Sequence, residues 1–65
     1  MTYEIGTRVA LRRDVEDRAA GEIGWVTGGQ GENILVHFDD EDGATVVAVP
    51  PHLLKEVPRV RRRAR

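Results

Sequence analysis

Turn-forming residues recur so closely along this chain that only short runs of regular structure fit between them. The first run alternates, with Ile5, Thr7, Val9 and Leu11 on one parity and Gly6, Arg8, Ala10 and Arg12 on the other. That period-two pattern is the mark of a half-buried strand. Residues 12–22 are polar and charged apart from Val15 and read as a long surface loop. Residues 23–27 form a second strand, which the cluster Gly28-Gly29-Gln30-Gly31 should close with a turn. A third strand over residues 34–38 stops at Asp39-Asp40-Glu41-Asp42-Gly43, whose Asp-Gly end signals a hairpin. The fourth, over residues 45–49, is rich in β-branched residues and bounded by Pro50-Pro51. Residues 50–54 are too few for an ordinary helix and suit one 3₁₀ turn before a last strand near residues 55–57. Pro58 has no N–H and ends the ladder there. No internal repeat or second domain is visible. Five short strands with turn chemistry between them argue an all-β fold, a small closed barrel with one 3₁₀ turn before the last strand. Closure also leaves no exposed edge.

At 65 residues the chain can build one small core, and folding at this size buries only about 60% of the extended surface. With no Cys and two His, neither disulfides nor a usual zinc site can reinforce it. Apolar packing must supply the stability, with self-association as a second source. The absence of Ser and Cys, and a single amine at Lys55, remove most covalent catalysis. The longest apolar run is residues 46–49, far short of a bilayer span. Met1-Thr2-Tyr3-Glu4 lacks the basic-then-apolar order of a signal peptide, so a cytoplasmic protein is expected.

The net charge of −1 conceals an asymmetry. Through Pro58 five basic residues (Arg8, Arg12, Arg13, Arg18 and Lys55) face eleven acidic ones, leaving the body at −6, whereas residues 59–65 carry +5. Those five positive charges are Arg59, Arg61, Arg62, Arg63 and Arg65. The division expected is therefore a folded domain over residues 1–58 and a disordered Arg-rich tail over residues 59–65. Guanidinium forks match phosphate geometry, so such an arm can bind nucleic acid without sequence preference. Two other readings of the tail stand beside that one: a solubilising end, or a segment that folds back on the acidic body. Nine Arg to one Lys also reflects codon composition as readily as function.

Several segments together carry a resemblance. They are Gly6-x-x-Val9-x-Leu11, Gly21-Glu22-Ile23-Gly24-Trp25-Val26, Val36-His37-Phe38-Asp39, Val49-Pro50 and Leu54-x-x-Val57. Over about residues 5–57 the chain resembles the SH3-like small barrels. It is similar to KOW-type domains of ribosomal and transcription proteins, to the SH3-like stromal subunit of photosystem I, and to barrels serving as accessory subunits in ferredoxin–thioredoxin reductase and nitrile hydratase. The resemblance implies a fold and leaves the function open, because this scaffold hosts many unrelated roles. It departs from the KOW pattern in one respect: the long loop contains Asp and Glu where nucleic-acid-binding members tend to be basic.

Candidate chemical motifs are sparse. An EF-hand reading that sets Gly43 at the turn glycine puts Phe38 at the first ligand position and Val49 where a bidentate Glu is needed, so a solvated hairpin turn is preferred. The glycine cluster at 28–31 leads into a β-rich segment with no following Lys-Ser or Lys-Thr, unlike a phosphate-cradling loop. His37 and His52 are far apart with no Cys or His beside them, and no metal or other cofactor is expected. Trp25 is more informative. If Gly24 and Val26 face inward, as is common in SH3-like barrels, Ile23 and Trp25 face outward and Trp25 becomes a natural interface anchor. The opposite parity buries Ile23, Trp25 and Thr27 as an end plug of the core. Tyr3 carries the same two readings.

The expected function is accordingly non-catalytic. An interaction or accessory-subunit module would bind a protein partner through one barrel face, at Trp25, Ile23 and Tyr3, with the acidic surface favouring a partner that is basic where it makes contact. The alternative is a nucleic-acid-binding protein using Arg59, Arg61, Arg62, Arg63 and Arg65 with a KOW-like barrel. A third reading is an oligomeric small-barrel enzyme like the plasmid-borne dihydrofolate reductases, although residues 46–49 contain no matching pore segment.

Overall fold

The alternating runs of the sequence become one antiparallel sheet in the computed structural model, which describes residues 3–40 and 43–58. Its strands are β1 (Arg8–Leu11), β2 (Ile23–Gln30), β3 (Asn33–Asp40), β4 (Gly43–Val49) and β5 (Leu54–Glu56), with a 3₁₀ turn at Pro51–Leu53. The expected all-β fold, with five antiparallel strands and a 3₁₀ turn before the last, is what the chain adopts. Strand order across the sheet is β4-β3-β2-β1-β5.

One parity of every strand points to a common core. Val9 and Leu11, Val26, Ile34, Val36 and Phe38, Val47 and Val49, and Leu54 form a single buried cluster, and Tyr3, Val15 and Leu53 pack against it. Because that cluster takes side chains from both end strands, the sheet curls around it. A bulge between Val26 and Gly28 helps, since an extra residue on one strand bends it and increases its twist. The curl stops short of the closed barrel that the turn spacing predicts. No ladder joins β4 to β5 among the described residues. With β5 three residues long and Pro58 just beyond it, little backbone is available for a closing ladder.

Two expectations about the strands are corrected. Ile5 does not belong to β1. It lies in a turn and is 70% exposed. Gly6 there has φ +96°, which breaks the pleat and resets the parity upstream of it. Nor does the Gly28-Gly29-Gln30-Gly31 cluster make the turn as a whole. Gly28, Gly29 and Gln30 remain in β2, paired with Leu35, Ile34 and Asn33, and only Gly31 and Glu32 turn, Gly31 at φ +61°. A two-residue loop with positive φ matches the twist of the flanking strands, so the ladder continues as far as it can.

Residues 12–22 are the expected surface loop, yet it is well tied down. Val15 and Arg18 exchange backbone hydrogen bonds of 2.8 Å, while the Arg12 N–H donates to Leu53 O at 2.8 Å and Arg12 Nε to Leu54 O at 3.0 Å. Val15, the loop's only large apolar residue, is its contribution to the core.

Candidate interaction surface

Gly24 decides which way the second strand faces. Its inward position leaves no room for a side chain: a Cβ there would lie 2.5 Å from His37 O, 2.9 Å from Val36 Cγ1 and 3.0 Å from Phe38 Cδ1. The Phe38 ring fills the space. Gly24 and Val26 therefore point inward, and Ile23 and Trp25 point out. Of the two parities open to the sequence, the fold takes the one that puts Trp25 on the outer face, where it is half-buried.

Register then assembles a row on the outer face. Arg8 pairs with Trp25, Trp25 with His37 and His37 with Val46, so the row crosses β1, β2, β3 and β4. The Trp25 and His37 rings stack with centroids 4.6 Å apart and planes 21° apart. His37 Nε2 lies 3.1 Å from Asp39 Oδ1 on the same strand. Ile23 and Val46 are each 51% exposed, a large fraction for apolar side chains on a sheet face. Between the first turn, β1, β2 and the segment after β5 runs an open groove in which Ile5, Ile23 and Trp25 meet Arg8, Glu4 and Glu56.

Of the residues that the sequence marked for protein contact, Trp25 and Ile23 share this groove. Tyr3 instead packs, half-buried, against the core. The candidate nucleic-acid contacts Arg59, Arg61, Arg62, Arg63 and Arg65 lie outside the described residues. His52 is exposed on the 3₁₀ turn. Among the described residues no group of His, Cys, Asp or Glu is placed to hold a metal ion, and no helix is long and apolar enough to cross a membrane.

Sequence reasoning missed one feature, a charged network over the end of the core. Arg18 reaches from the loop to the Asp40 carboxylate through both terminal nitrogens, Nη1 at 2.7 Å from Oδ1 and Nη2 on Oδ2. It also donates to Glu22 Oε1 at 3.0 Å, and its guanidinium lies 4.7 Å from the centre of the Phe38 ring. The Thr45 hydroxyl donates to Asp40 Oδ2 at 2.8 Å. The Arg18–Glu22 spacing was readable in the sequence, but the pairing with Asp40, which is 22 residues away, had no local signal.

These contacts set the titration of the group. Hydrogen bonds from Arg18 and Thr45 hold the Asp40 carboxyl down from 3.8 to about 2. The Ala19 backbone N–H and then Arg18 lower Glu22 as well. Both carboxylates are depressed on folding, so their stabilisation is complete above the ordinary carboxylate range and is lost as pH falls through the folded values. Urea midpoints measured from pH 6 down to pH 2 should therefore fall steeply below about pH 4, and Asp40→Asn should flatten that slope. A variant with the wild-type slope would show that the network does not couple folding to pH.

The chain matches no known protein family, no curated protein and no solved structure.

Proposed function

We propose that this domain is a non-catalytic interaction module that binds a protein segment across the outer face of β1 and β2. The observation that carries the reading is the groove in which Ile5, Ile23 and Trp25 meet the exposed carboxylates of Glu4 and Glu56. An apolar strip beside acidic groups fits a segment with an apolar anchor and basic flanks. The charge of the partner would govern on-rate and selectivity more than raw affinity. The Arg18–Glu22–Asp40 group is structural in this reading, since its shifts arise from contacts that tie a loop to a hairpin. Five antiparallel strands with a 3₁₀ turn before the last support the SH3-like assignment, and an accessory-subunit role is compatible with it.

A fluorescently labelled peptide of alternating Lys and Leu, followed by anisotropy, is the probe. Trp25→Ala should weaken it about thirtyfold, the loss of a 2 kcal/mol hot spot, with the fold checked by circular dichroism. Unchanged affinity in a folded Trp25→Ala variant would remove the surface from consideration.

A second reading rests on Arg8 standing beside the Trp25–His37 stack, together with the five arginines of residues 59–65. Stacked aromatic rings flanked by guanidinium groups suit single-stranded nucleic acid. Mixed-sequence RNA bound with a steep salt dependence, and lost on truncation after Pro58, would place this reading first.

A further inference from the structure

The two edges of the sheet are treated very differently. β5 is three residues long, two of which are the charged Lys55 and Glu56, and Pro58 follows closely. Short length, charge and proline are the devices by which sheets prevent edge-to-edge pairing. β4 carries neither of the first two, and its prolines, Pro50-Pro51, lie beyond the strand's end. It is seven residues long, Gly-Ala-Thr-Val-Val-Ala-Val, and no charged residue occurs from Gly43 through Pro51. Among the described residues β4 pairs only with β3, and no loop donates to or accepts from its backbone. Val46 lies on this strand, 51% exposed.

We infer that β4 is a self-pairing edge, and that its occupant is the antiparallel β4 of a second copy of this chain. A two-fold axis at Val46 sets Val46 against its own counterpart, Thr45 against Val47 and Ala44 against Ala48. No like charges meet, and each side chain stays on its own face. The register also extends the outer row, so that Arg8–Trp25–His37–Val46 of one copy runs on into Val46–His37–Trp25–Arg8 of the other.

Electrostatics selects the antiparallel arrangement. Asp39 and Asp40 end β3 opposite the start of β4, and the sequence between the two strands is Glu41-Asp42, so parallel pairing would bring two acidic strand starts side by side. Antiparallel pairing about Val46 puts Gly43 opposite Val49, and the two acidic strand starts then lie ~20 Å apart along the strands. That distance exceeds the Debye length of about 8 Å at physiological ionic strength. The start of each β4 lies instead towards the Pro50-Pro51-His52-Leu53-Leu54-Lys55 end of the other copy, which contains no acid.

Sedimentation equilibrium of the full chain at sub-millimolar concentration tests the pairing. The expected result is a reversible dimer whose dissociation constant rises at least tenfold with Val46→Lys and stays within about twofold with Val46→Thr or Ile23→Lys. Raising salt from about 0.15 to 0.5 M should leave the dimer intact or tighten it, because the acidic bodies repel. Hydrogen exchange supplies a measurement that needs no variant: amide protection should rise with protein concentration along β4 and not along β5. A monomer throughout, a dimer indifferent to Val46→Lys, or one that Ile23→Lys dissociates would overturn the inference. So would a dimer dissolved by salt, which marks tail-to-body attraction, or β4 protection independent of concentration.

Discussion

Gly24→Ala is expected to destabilise the fold severely, although it adds a single methyl group. The new Cβ would sit 2.5 Å from the backbone oxygen of His37, with Val36 and Phe38 at 2.9 and 3.0 Å. Side chains can adjust by rotamer changes, but the oxygen belongs to a residue paired with Trp25 on one side and Val46 on the other. Moving it breaks ladders in the middle of the sheet. Overpacking of a well-filled core typically costs about 1–3 kcal/mol, and more where the backbone must shift. A chain of this length has roughly 3–10 kcal/mol to lose. Gly28→Ala is the control. Its Cβ meets only Leu35 Cδ1, at 3.7 Å, an ordinary contact on the outer face, and the loss of unfolded-chain entropy is expected to stabilise by about 0.4–1 kcal/mol. Urea denaturation of both variants checks the pair. A cooperatively folded Gly24→Ala protein of wild-type stability would refute the packing argument.

Phe38→Ala is expected to be at least as costly. The ring is 2% exposed, is the largest of the side chains in the core, and closes the space that Gly24 leaves open. It also forms the surface on which the Arg18 guanidinium rests. Removing a buried phenyl group costs about 3–5 kcal/mol through lost transfer energy and the cavity left behind. That is comparable with the entire stability of a domain this small. The variant should show no cooperative transition, or one at much lower urea, whereas Phe38→Leu should retain an intermediate midpoint. A loss below about 1 kcal/mol for Phe38→Ala would mean that the core collapses readily around the gap.

The two variants probe one interlock. Gly24 and Phe38 are neighbours only after β2 and β3 have paired. Their fit sets the parity of β2, and with it the outward position of Ile23 and Trp25. The local sequence Ile23-Gly24-Trp25-Val26-Thr27 fits either parity, because each leaves at least one large apolar residue outside. Tyr3, which fits either role in the sequence, packs instead against the core. Arg18 looked like one more charge in a polar loop until the curl of the sheet brought Asp40 to it.

By itself, the sequence determined the class of fold: period-two runs punctuated by Gly, Asp-Gly and Pro-Pro admit short strands and little else, because strand pleat and turn geometry are local properties. The third strand over residues 34–38 is equally local, and it buries Ile34, Val36 and Phe38. Tertiary structure alone decided that the sheet curls without closing, that Ile5 leaves β1 at Gly6, and that Trp25 stacks on His37 at the surface. Those outcomes depend on contacts between residues distant in the chain, on one oxygen too close to Gly24 and on a β5 too short to close the sheet, and neither is written in any local pattern.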